Sequence, residues 1–150
     1  MNKDREYMAI ALDEARLAME SGEVPVGAVL IDDESVVVVR AHNLCESERD
    51  ATAHAEILAI REAGRRLSRW RLNGCTLYVT LEPCSMCAGA IMAARISRLV
   101  YGATDARAGA VESIFKIPGH PSHAPSPEIT AGVMEDECKD FLQKFFAERR

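Results

Sequence analysis

Residues 76–94, TLYVTLEPCSMCAGAIMAA, join a predicted strand to a predicted helix through a single proline. Thr76–Leu81 combines β-branched, aromatic and aliphatic residues, a composition that favours a strand. Pro83 is compatible with the start of a helix, where its missing N–H would have no intrahelical partner, and Ser85–Ala94 consists of good helix-forming residues. The stretch therefore predicts a strand, a turn and a helix in succession.

The rest of the chain alternates between the same kinds of segment. Apolar residues at three- and four-residue steps predict helices, β-branched runs predict strands, and clusters of Pro and Gly predict loops. This alternation predicts a single α/β domain over residues 1–150, with a five-stranded sheet covered by helices on both faces, a three-layer α/β/α arrangement. The predicted helices are Lys3–Met19, Thr52 to about Leu67, Ser85–Ala94 and Glu135–Arg149; the predicted strands are Gly27–Ile31, Val36–Val39, Thr76–Leu81, Arg98–Tyr101 and Glu128–Ala131; residues 43–50 and 102–127 are predicted loops.

The composition is that of an ordinary globular protein. The 150 residues are 48% hydrophobic and 27% charged, with a formal net charge of −5, which excludes disordered, collagen-like and coiled-coil chains. No apolar run approaches the ~20 residues that span a bilayer, and residues 1–6 are charged with no apolar stretch behind them, so we expect a cytoplasmic protein without a membrane partner. Five cysteines, two of them in a C-x-x-C spacing, favour reduced thiols and a metal over a disulfide framework.

Charge is distributed unevenly along the chain. Residues 1–60 hold 5 basic and 13 acidic side chains, a balance of −8, whereas residues 61–110 hold 8 basic and 3 acidic ones, a balance of +5. Local Arg clusters allow an acidic protein to bind nucleic acid, because counterion release depends on the charges at the contact. The alternative is that these side chains form solvated helix faces. The clusters consist of Arg61, Arg65, Arg66, Arg69 and Arg71 and, after Phe145 and Phe146, of Arg149 and Arg150.

Two short motifs, His54-Ala55-Glu56 and Pro83-Cys84-Ser85-Met86-Cys87, carry the predicted chemistry. One His and two Cys offer three zinc ligands, and because zinc is tetrahedral they leave a fourth position for water, which is the catalytic arrangement. A helix start also favours both thiolates. Glu56 beside the metal would take a proton from the attacking water and deliver protons to a ring nitrogen and to the departing amine. The remaining cysteines, Cys45, Cys75 and Cys138, have no spacing partner and are predicted to be small buried or partly buried residues.

Competing roles for these motifs use fewer of their residues. A structural zinc site would be closed by a fourth Cys or His, and a C-x-x-C redox site would make no use of His54 or Glu56. A zinc-stabilised binding module would make Glu56 dispensable. Taken together and in this order, the motifs match the H-x-E…P-C-x-x-C signature of zinc nucleobase deaminases.

On these motifs and their flanks the chain resembles the bacterial tRNA-specific adenosine deaminases of the cytidine-deaminase-like superfamily. The flanking strings are GEVPVGAV at 22–29, AHN at 41–43, TAHAE at 52–56, TLYVTLEPC at 76–84 with MCAGA at 86–90, and FF and RR at 145–146 and 149–150. The resemblance implies a cytidine-deaminase-like fold with a mixed sheet, one zinc ion per subunit and a homodimer. It also implies deamination of adenosine to inosine at the wobble position of an arginine tRNA, whose anticodon loop is splayed so that the base enters the pocket.

The resemblance also implies roles for particular residues. Those implied to hold zinc are His54, Cys84 and Cys87, with Glu56 as the proton shuttle. Those implied to contact the base are Asn43, Val26 and the backbone N–H of Ala55; a turn residue is the alternative role for Asn43. Those implied to contact the anticodon stem-loop are Asp105, Arg107, Phe145, Phe146, Arg149 and Arg150, and core packing is the alternative for the two phenylalanines.

Two segments depart from the family's pattern. Val111-Glu112 stands where the family usually has Ala-Gly, and Ala124-Pro125 stands where an Asn-His pair is usual. These segments are expected to shape the mouth of the pocket and the RNA groove. The competing function is therefore zinc-dependent deamination of a free base or nucleoside, such as guanine or cytosine, which would use the same metal site without needing Arg149 and Arg150.

Overall fold

The structure, a computed structural model, describes residues 3–123 and 125–149. Within these residues no helix is both long and apolar enough to cross a membrane. The helices are α1 (Lys3–Glu20), α2 (Cys45–Glu48), α3 (Ala55–Leu67), α4 (Ser85–Ala93) and α5 (Glu135–Glu148), and a 3₁₀ turn covers Pro121–His123. The strands are β1 (Gly27–Ile31), β2 (Val37–His42), β3 (Thr76–Leu81), β4 (Arg98–Ala103) and β5 (Glu128–Thr130).

The five strands form one mixed sheet in the order β2-β1-β3-β4-β5. The central strand β3 pairs antiparallel with β1, with Tyr78 opposite Val29, and parallel with β4, with Tyr78 opposite Val100. β2 is antiparallel to β1, and β5 is parallel to β4. Parallel neighbours need a crossover, and α4 supplies it between β3 and β4. The carboxyl ends of β3 and β4 therefore lie at the same edge of the sheet.

Alternate residues of each strand pack on opposite faces, as the two-residue period of a strand requires. The three-layer α/β/α prediction is confirmed, since both faces of the sheet are covered by helices. On one face, Leu30, Leu77 and Val79 pack with Ala59 of α3 and Ile91 of α4. On the other face, Val29, Tyr78 and Val100 pack with Met8 and Ala11 of α1 and Cys138 of α5.

Close contact and one ion pair fix α1 on its face of the sheet. A Cβ on Gly27 would lie 1.9 Å from the carbonyl oxygen of Ala11, so the α1 backbone touches β1 directly. The guanidinium of Arg98 donates to both carboxylate oxygens of Asp4 at 2.8 Å each, and the Tyr78 hydroxyl donates to Asp4 Oδ1 at 2.7 Å. The start of α1 is thereby tied to β3 and β4.

Several predicted boundaries were wrong for identifiable reasons. β2 begins at Val37 because the Asp32 carboxylate accepts hydrogen bonds from the backbone of Glu34 and Val36, which extends the turn. α3 begins at Ala55 rather than Thr52, since Asp50 Oδ1 accepts from both the backbone and the hydroxyl of Thr52. The predicted loop over 43–50 contains the short helix α2.

Candidate active site

Three side chains with metal-binding atoms meet where α3 and α4 begin. His54 Nδ1 lies 3.5 Å from Cys87 Sγ and 3.7 Å from Cys84 Sγ, and all three ligand atoms lie within 4.8 Å of one another. Zinc–nitrogen and zinc–sulfur bonds of about 2.1 and 2.3 Å at a tetrahedral angle separate the two ligand atoms by about 3.6 Å. The His54–Cys84–Cys87 cluster therefore fits a zinc ion.

The backbone at the two helix starts explains how these side chains meet. His54 and Cys84 each occupy the extended residue immediately before a helix, with φ, ψ of −76°, 151° and −75°, 178°. Cys87 lies in the first turn of α4 and is fully buried. His54 leaves the end of α3 rather than its side, so it can approach the same point as Glu56, although residues two apart on a helix face different directions.

The two sulfurs of the cluster compete for negative charge. The Cys87 thiol donates to Cys84, and this contact, together with His54, lowers the pKa of Cys84 to about 4. The same contact and burial raise the pKa of Cys87. A divalent cation resolves this competition by accepting both sulfurs as thiolates.

Glu56 lies beside the cluster and is only 4% exposed. Burial raises its pKa to about 7. It lines a cavity of ≈ 680 Å³ together with His54 and Cys84. A carboxyl group of this kind can both accept and donate a proton at a substrate held in the cavity.

The predicted base-contacting residues form one connected unit at the cavity wall. Asn43 Oδ1 accepts a hydrogen bond from the backbone N–H of Ala55 at 2.7 Å, and the backbone N–H of Asn43 donates to the Val26 carbonyl at 3.2 Å. Asn43 and Val26 line the cavity, and both are less than a tenth exposed. The Ala55 amide, expected to contact the base, is thus engaged by Asn43.

Comparisons with known proteins agree on the family. The profile of the cytidine and deoxycytidylate deaminase zinc-binding region matches residues 1–103. The tRNA-specific adenosine deaminase of Bacillus subtilis is 45% identical over 150 residues, covering 100% of this chain and 92% of that protein. The chain belongs to the tRNA-specific adenosine deaminases. The protein of this name from Agrobacterium fabrum is 49% identical over 144 residues, covering 96% of this chain and 94% of that one.

Among solved structures, a tRNA deaminase resembles this chain more than a guanine deaminase does, both in backbone superposition and in sequence identity. A structure from a study of A-to-I editing by tRNA:A34 deaminases superposes with a TM-score of 0.88 at 48% identity, covering 91% of this chain and 99% of that one. Guanine deaminase from Nitrosomonas europaea superposes with a TM-score of 0.80 at 25% identity, covering 95% and 84%. These likenesses confirm the cytidine-deaminase-like fold and favour the tRNA deaminases over the free-base enzymes.

The predicted RNA-contacting residues of this tRNA-specific adenosine deaminase that the structure describes line the cavity or a second cavity beside it. Asp105 lines it, and Asp105 Oδ1 accepts from the backbone N–H of Arg107 at 3.0 Å, which shapes a turn. Phe145 also lines the cavity and is only 4% exposed, whereas Phe146 is 44% exposed. The Arg149 guanidinium lies 3.6 Å from the centroid of the Phe145 ring. Arg150 lies outside the described residues, as does Ala124 in the second departing segment.

The arginine-rich segment that follows the middle of α3 is largely occupied by contacts within the chain. Arg65 and Arg66 both pair with Glu62, and Arg66 also donates to the Val38 carbonyl. Arg69 donates to the carbonyls of Arg71 and Asn73, at 2.7 and 3.3 Å, while Arg71 lies over the exposed ring of Trp70. These contacts favour the solvated-face interpretation of this segment.

Two buried carboxylates, Glu23 and Glu82, to which no sequence motif assigns a role, lie in the walls of the cavity. Glu23, 1% exposed, accepts from the backbone N–H groups of Glu46 and Ser47 and from the Ser47 hydroxyl, and so caps α2 from outside that helix. Glu82, also 1% exposed, accepts from the loop that follows β4. Their partners are distant in sequence, so no local pattern reveals them, although Glu82 directly precedes the Pro83-Cys84 motif.

The first departing segment is accommodated without disturbing the cavity. Val111 is buried in the core cluster that contains Leu77, and the carboxylate of the exposed Glu112 accepts a hydrogen bond from Tyr101. Neither Val111 nor Glu112 lines the cavity of Glu56. The segment therefore gives no structural reason against a nucleotide substrate.

Proposed function

We propose that this protein is a zinc-dependent deaminase that converts adenosine to inosine at the wobble position of a tRNA anticodon, that of an arginine tRNA by resemblance. The observation that carries this proposal is the fit of the His54–Cys84–Cys87 cluster to zinc, beside buried Glu56, in a chain 45–49% identical to tRNA-specific adenosine deaminases. Its likeness to guanine deaminase, at 25% identity, supports the free-base alternative less strongly.

His54, Cys84 and Cys87 would hold one zinc ion per chain. Zinc supplies the Lewis acidity that makes a water molecule nucleophilic near neutral pH. The three side chains leave one tetrahedral position for water, as catalytic zinc sites do. They come from two helix starts whose dipoles favour the thiolates.

Glu56 would carry the protons of the reaction. Its carboxylate accepts a proton as the water oxygen bonds to C6 of the adenine ring, and a proton is delivered to N1 of the ring. The new C6 hydroxyl then gives up its proton, which Glu56 passes to the departing amine; the amine leaves as ammonia as the C6–N6 bond breaks, and inosine remains. Burial of Glu56 in the cavity wall limits competing proton exchange with bulk water.

Asn43, Val26 and Ala55 would orient the base. The side-chain oxygen of Asn43 accepts a hydrogen bond from Ala55, so the side-chain NH2 group remains to donate a hydrogen bond to a ring nitrogen. Val26 supplies apolar contact at the same wall. The Ala55 amide would act through Asn43, by fixing the orientation of its side chain.

The anticodon loop would pass along the surface beside the cavity. A second cavity of ≈ 540 Å³ is lined by Arg107, Leu142 and Phe146 and shares Asp105 and Leu81 with the first. Single-stranded RNA is bound by such combinations of cations and aromatic rings. The residues proposed for RNA contact are Asp105, Arg107, Phe145, Phe146, Arg149 and Arg150.

The protein would act as a homodimer in the cytoplasm, where its tRNA substrate is found, with residues 1–150 forming one deaminase domain. α4 presents an apolar face that includes partly exposed Met86 and Ala90 and exposed Ala93. A Cβ on Gly89, between them, would meet no atom within 4 Å among the described residues. Such a face fits burial against a second copy of the chain.

The test is to incubate the zinc-loaded protein with an anticodon stem-loop carrying adenosine at the wobble position, and separately with guanine, cytosine, adenosine and cytidine. We expect inosine in the stem-loop and no ammonia from the small molecules. Glu56→Ala protein, prepared identically, controls for contaminating deaminases. Ammonia from a free base with no inosine in the stem-loop would transfer the protein to the free-base branch.

A further inference from the structure

The loop at residues 105–113 folds around the carboxylate of Glu82, which accepts its hydrogen bonds. Oε1 accepts from the backbone N–H of Asp105 at 3.0 Å, and Oε2 accepts from those of Val111, Glu112 and Ser113 at 3.1, 2.9 and 3.0 Å. The Ser113 hydroxyl also donates to Oε1. Five donors thus converge on one buried carboxylate. They replace the water molecules that would otherwise solvate it.

The loop encloses the carboxylate closely. A Cβ on Gly109 would lie 2.4 Å from Glu82 Cδ, so the backbone passes where a side chain could not fit. The neighbouring carbonyl of Pro83 accepts from the Ala110 amide at 2.8 Å. Glu82 and Pro83 therefore bind the 105–113 loop directly beside Cys84.

The contacts depend mainly on the backbone of the loop. Four of the five donors to Glu82 are main-chain amides, which every residue except proline provides. Val111 and Glu112 can therefore replace Ala and Gly in this loop while the bonds to Glu82 remain. Their side chains add two anchors, Val111 in the core and Glu112 on Tyr101.

The two ends of this connection belong to different parts of the site. Cys84, two residues after Glu82, supplies a ligand atom of the proposed zinc centre, whereas Asp105 and Ala108, in the loop, line the cavity, and Arg107 lies beside it. We call Asp105, Arg107 and Ala108 the rim of the cavity. A rigid connection through Glu82 sets the distance from the metal centre to this rim, where the RNA would bind.

We propose that Glu82 is a positioning residue for the RNA substrate: it holds the 105–113 loop in register with the metal centre, so that nucleotides at the rim and the base in the cavity are bound together. The RNA part of this inference rests on the proposed function. The organisation of the loop by Glu82 does not.

Glu82→Gln tests the inference with a side chain of nearly the same shape. Its amide offers one acceptor oxygen and turns an NH2 group toward backbone donors, so the loop must shift. We expect unchanged zinc content, a KM for the stem-loop raised about 10-fold or more, and a kcat within about 3-fold of the wild-type value. Amide hydrogen exchange at residues 111–113 should quicken. Glu82→Asp keeps the charge, so its KM should lie between the values for Glu82→Gln and the wild type.

The controls separate this role from general destabilisation. Glu6→Gln removes one negative charge from the exposed side of α1 and should change neither KM nor the exchange of the loop. A fall in kcat with unchanged KM, or unaltered exchange at 111–113, would overturn the inference. If Glu82→Gln does not fold, Ser113→Ala, which removes one donor, decides: a raised KM supports the inference and an unchanged KM overturns it.

Failure of the proposed function is recognised separately. If wild-type protein leaves the stem-loop unmodified, the tRNA substrate is refuted and with it the RNA role of Glu82. The hydrogen-exchange comparison still decides whether Glu82 organises the loop.

Discussion

Asn43 and Ala55, twelve residues apart, are joined by a hydrogen bond of 2.7 Å from the Ala55 backbone N–H to the Asn43 side-chain oxygen. The bond satisfies one of the amides that a helix start leaves without an intrahelical partner, and it fixes the orientation of the Asn43 amide, with its oxygen on Ala55. One residue thus stabilises the start of α3 and, in the proposed function, would offer its NH2 group to a bound base.

Asn43→Asp and Asn43→Ala should separate these two roles. Asn43→Asp keeps the acceptor for Ala55 but loses the NH2 donor, so we expect a folded, zinc-loaded protein with kcat/KM reduced about 100-fold. Asn43→Ala should lose the same activity and in addition about 1–2 kcal/mol of unfolding free energy. Urea unfolding and stem-loop kinetics measure the two effects; equal stability of both variants would refute the helix-capping role.

Glu56→Ala should retain zinc and fold but lose at least about 1,000-fold in kcat, because no other group replaces its proton transfers. The measurement is single-turnover formation of inosine in the stem-loop. Glu62→Ala, on the same helix but paired with Arg65 and Arg66, is the matched control and should be active. Turnover retained by Glu56→Ala would refute the proposed mechanism.

Cys87→Ala should lose both metal and stability, because the binding energy of a ligand set is coupled to folding. Atomic absorption is expected to show well under one zinc per chain, together with a lower midpoint of thermal unfolding. Cys138→Ala removes a buried thiol on the other face of the sheet and should keep its zinc. Full zinc content in Cys87→Ala would show that the ligand assignment is wrong.

Arg149→Ala combined with Arg150→Ala should weaken binding of the stem-loop and flatten its salt dependence. Each lost phosphate contact makes the negative slope of log K against log salt shallower by about 0.7–0.9. Fluorescence anisotropy at several salt concentrations measures the slope, and zinc content should not change. Arg65→Ala, whose side chain already pairs with Glu62, serves as the control; an unaltered slope in the double variant would remove these residues from the RNA face.

Asp4→Asn should destabilise the protein at neutral pH by about 1–2 kcal/mol, because it breaks the charge-assisted pair with Arg98. Hydrogen bonding from Arg98 lowers the pKa of Asp4 below its ordinary value of 3.8. A lowered carboxyl pKa adds stability that is present above pH 3.8 and is lost as the pH falls through the folded-state pKa.

The difference in stability between wild type and Asp4→Asn should therefore shrink below about pH 4. Urea unfolding at a series of pH values measures it. Asp13→Asn, on the exposed side of α1, should follow the wild-type curve. A difference that stays constant down to pH 2 would contradict the role of the ion pair.

Sequence patterns predicted most of the sheet, and the limits of that prediction are local. β1 and β3 were predicted with their observed ends, because β-branched runs with both faces covered leave a strong signal. α2 was missed because its cap, the Glu23 carboxylate, comes from more than twenty residues away. The predicted start of the second helix is too early because the turn at Asp50–Thr52 depends on side-chain hydrogen bonds.

The sequence by itself indicated the family, the His and Cys side chains that can hold zinc and an acid that could serve them, because that chemistry uses these residue types in two short motifs, His54-Ala55-Glu56 and Pro83–Cys87. Only the tertiary structure decided which polar groups pair over long distances: that Asn43 engages Ala55, that Glu82 gathers the 105–113 loop, and that several arginines after the middle of α3 bond within the chain. A side chain's spacing shows its chemistry, but its partner depends on which groups the folded sheet and helices bring within hydrogen-bond distance.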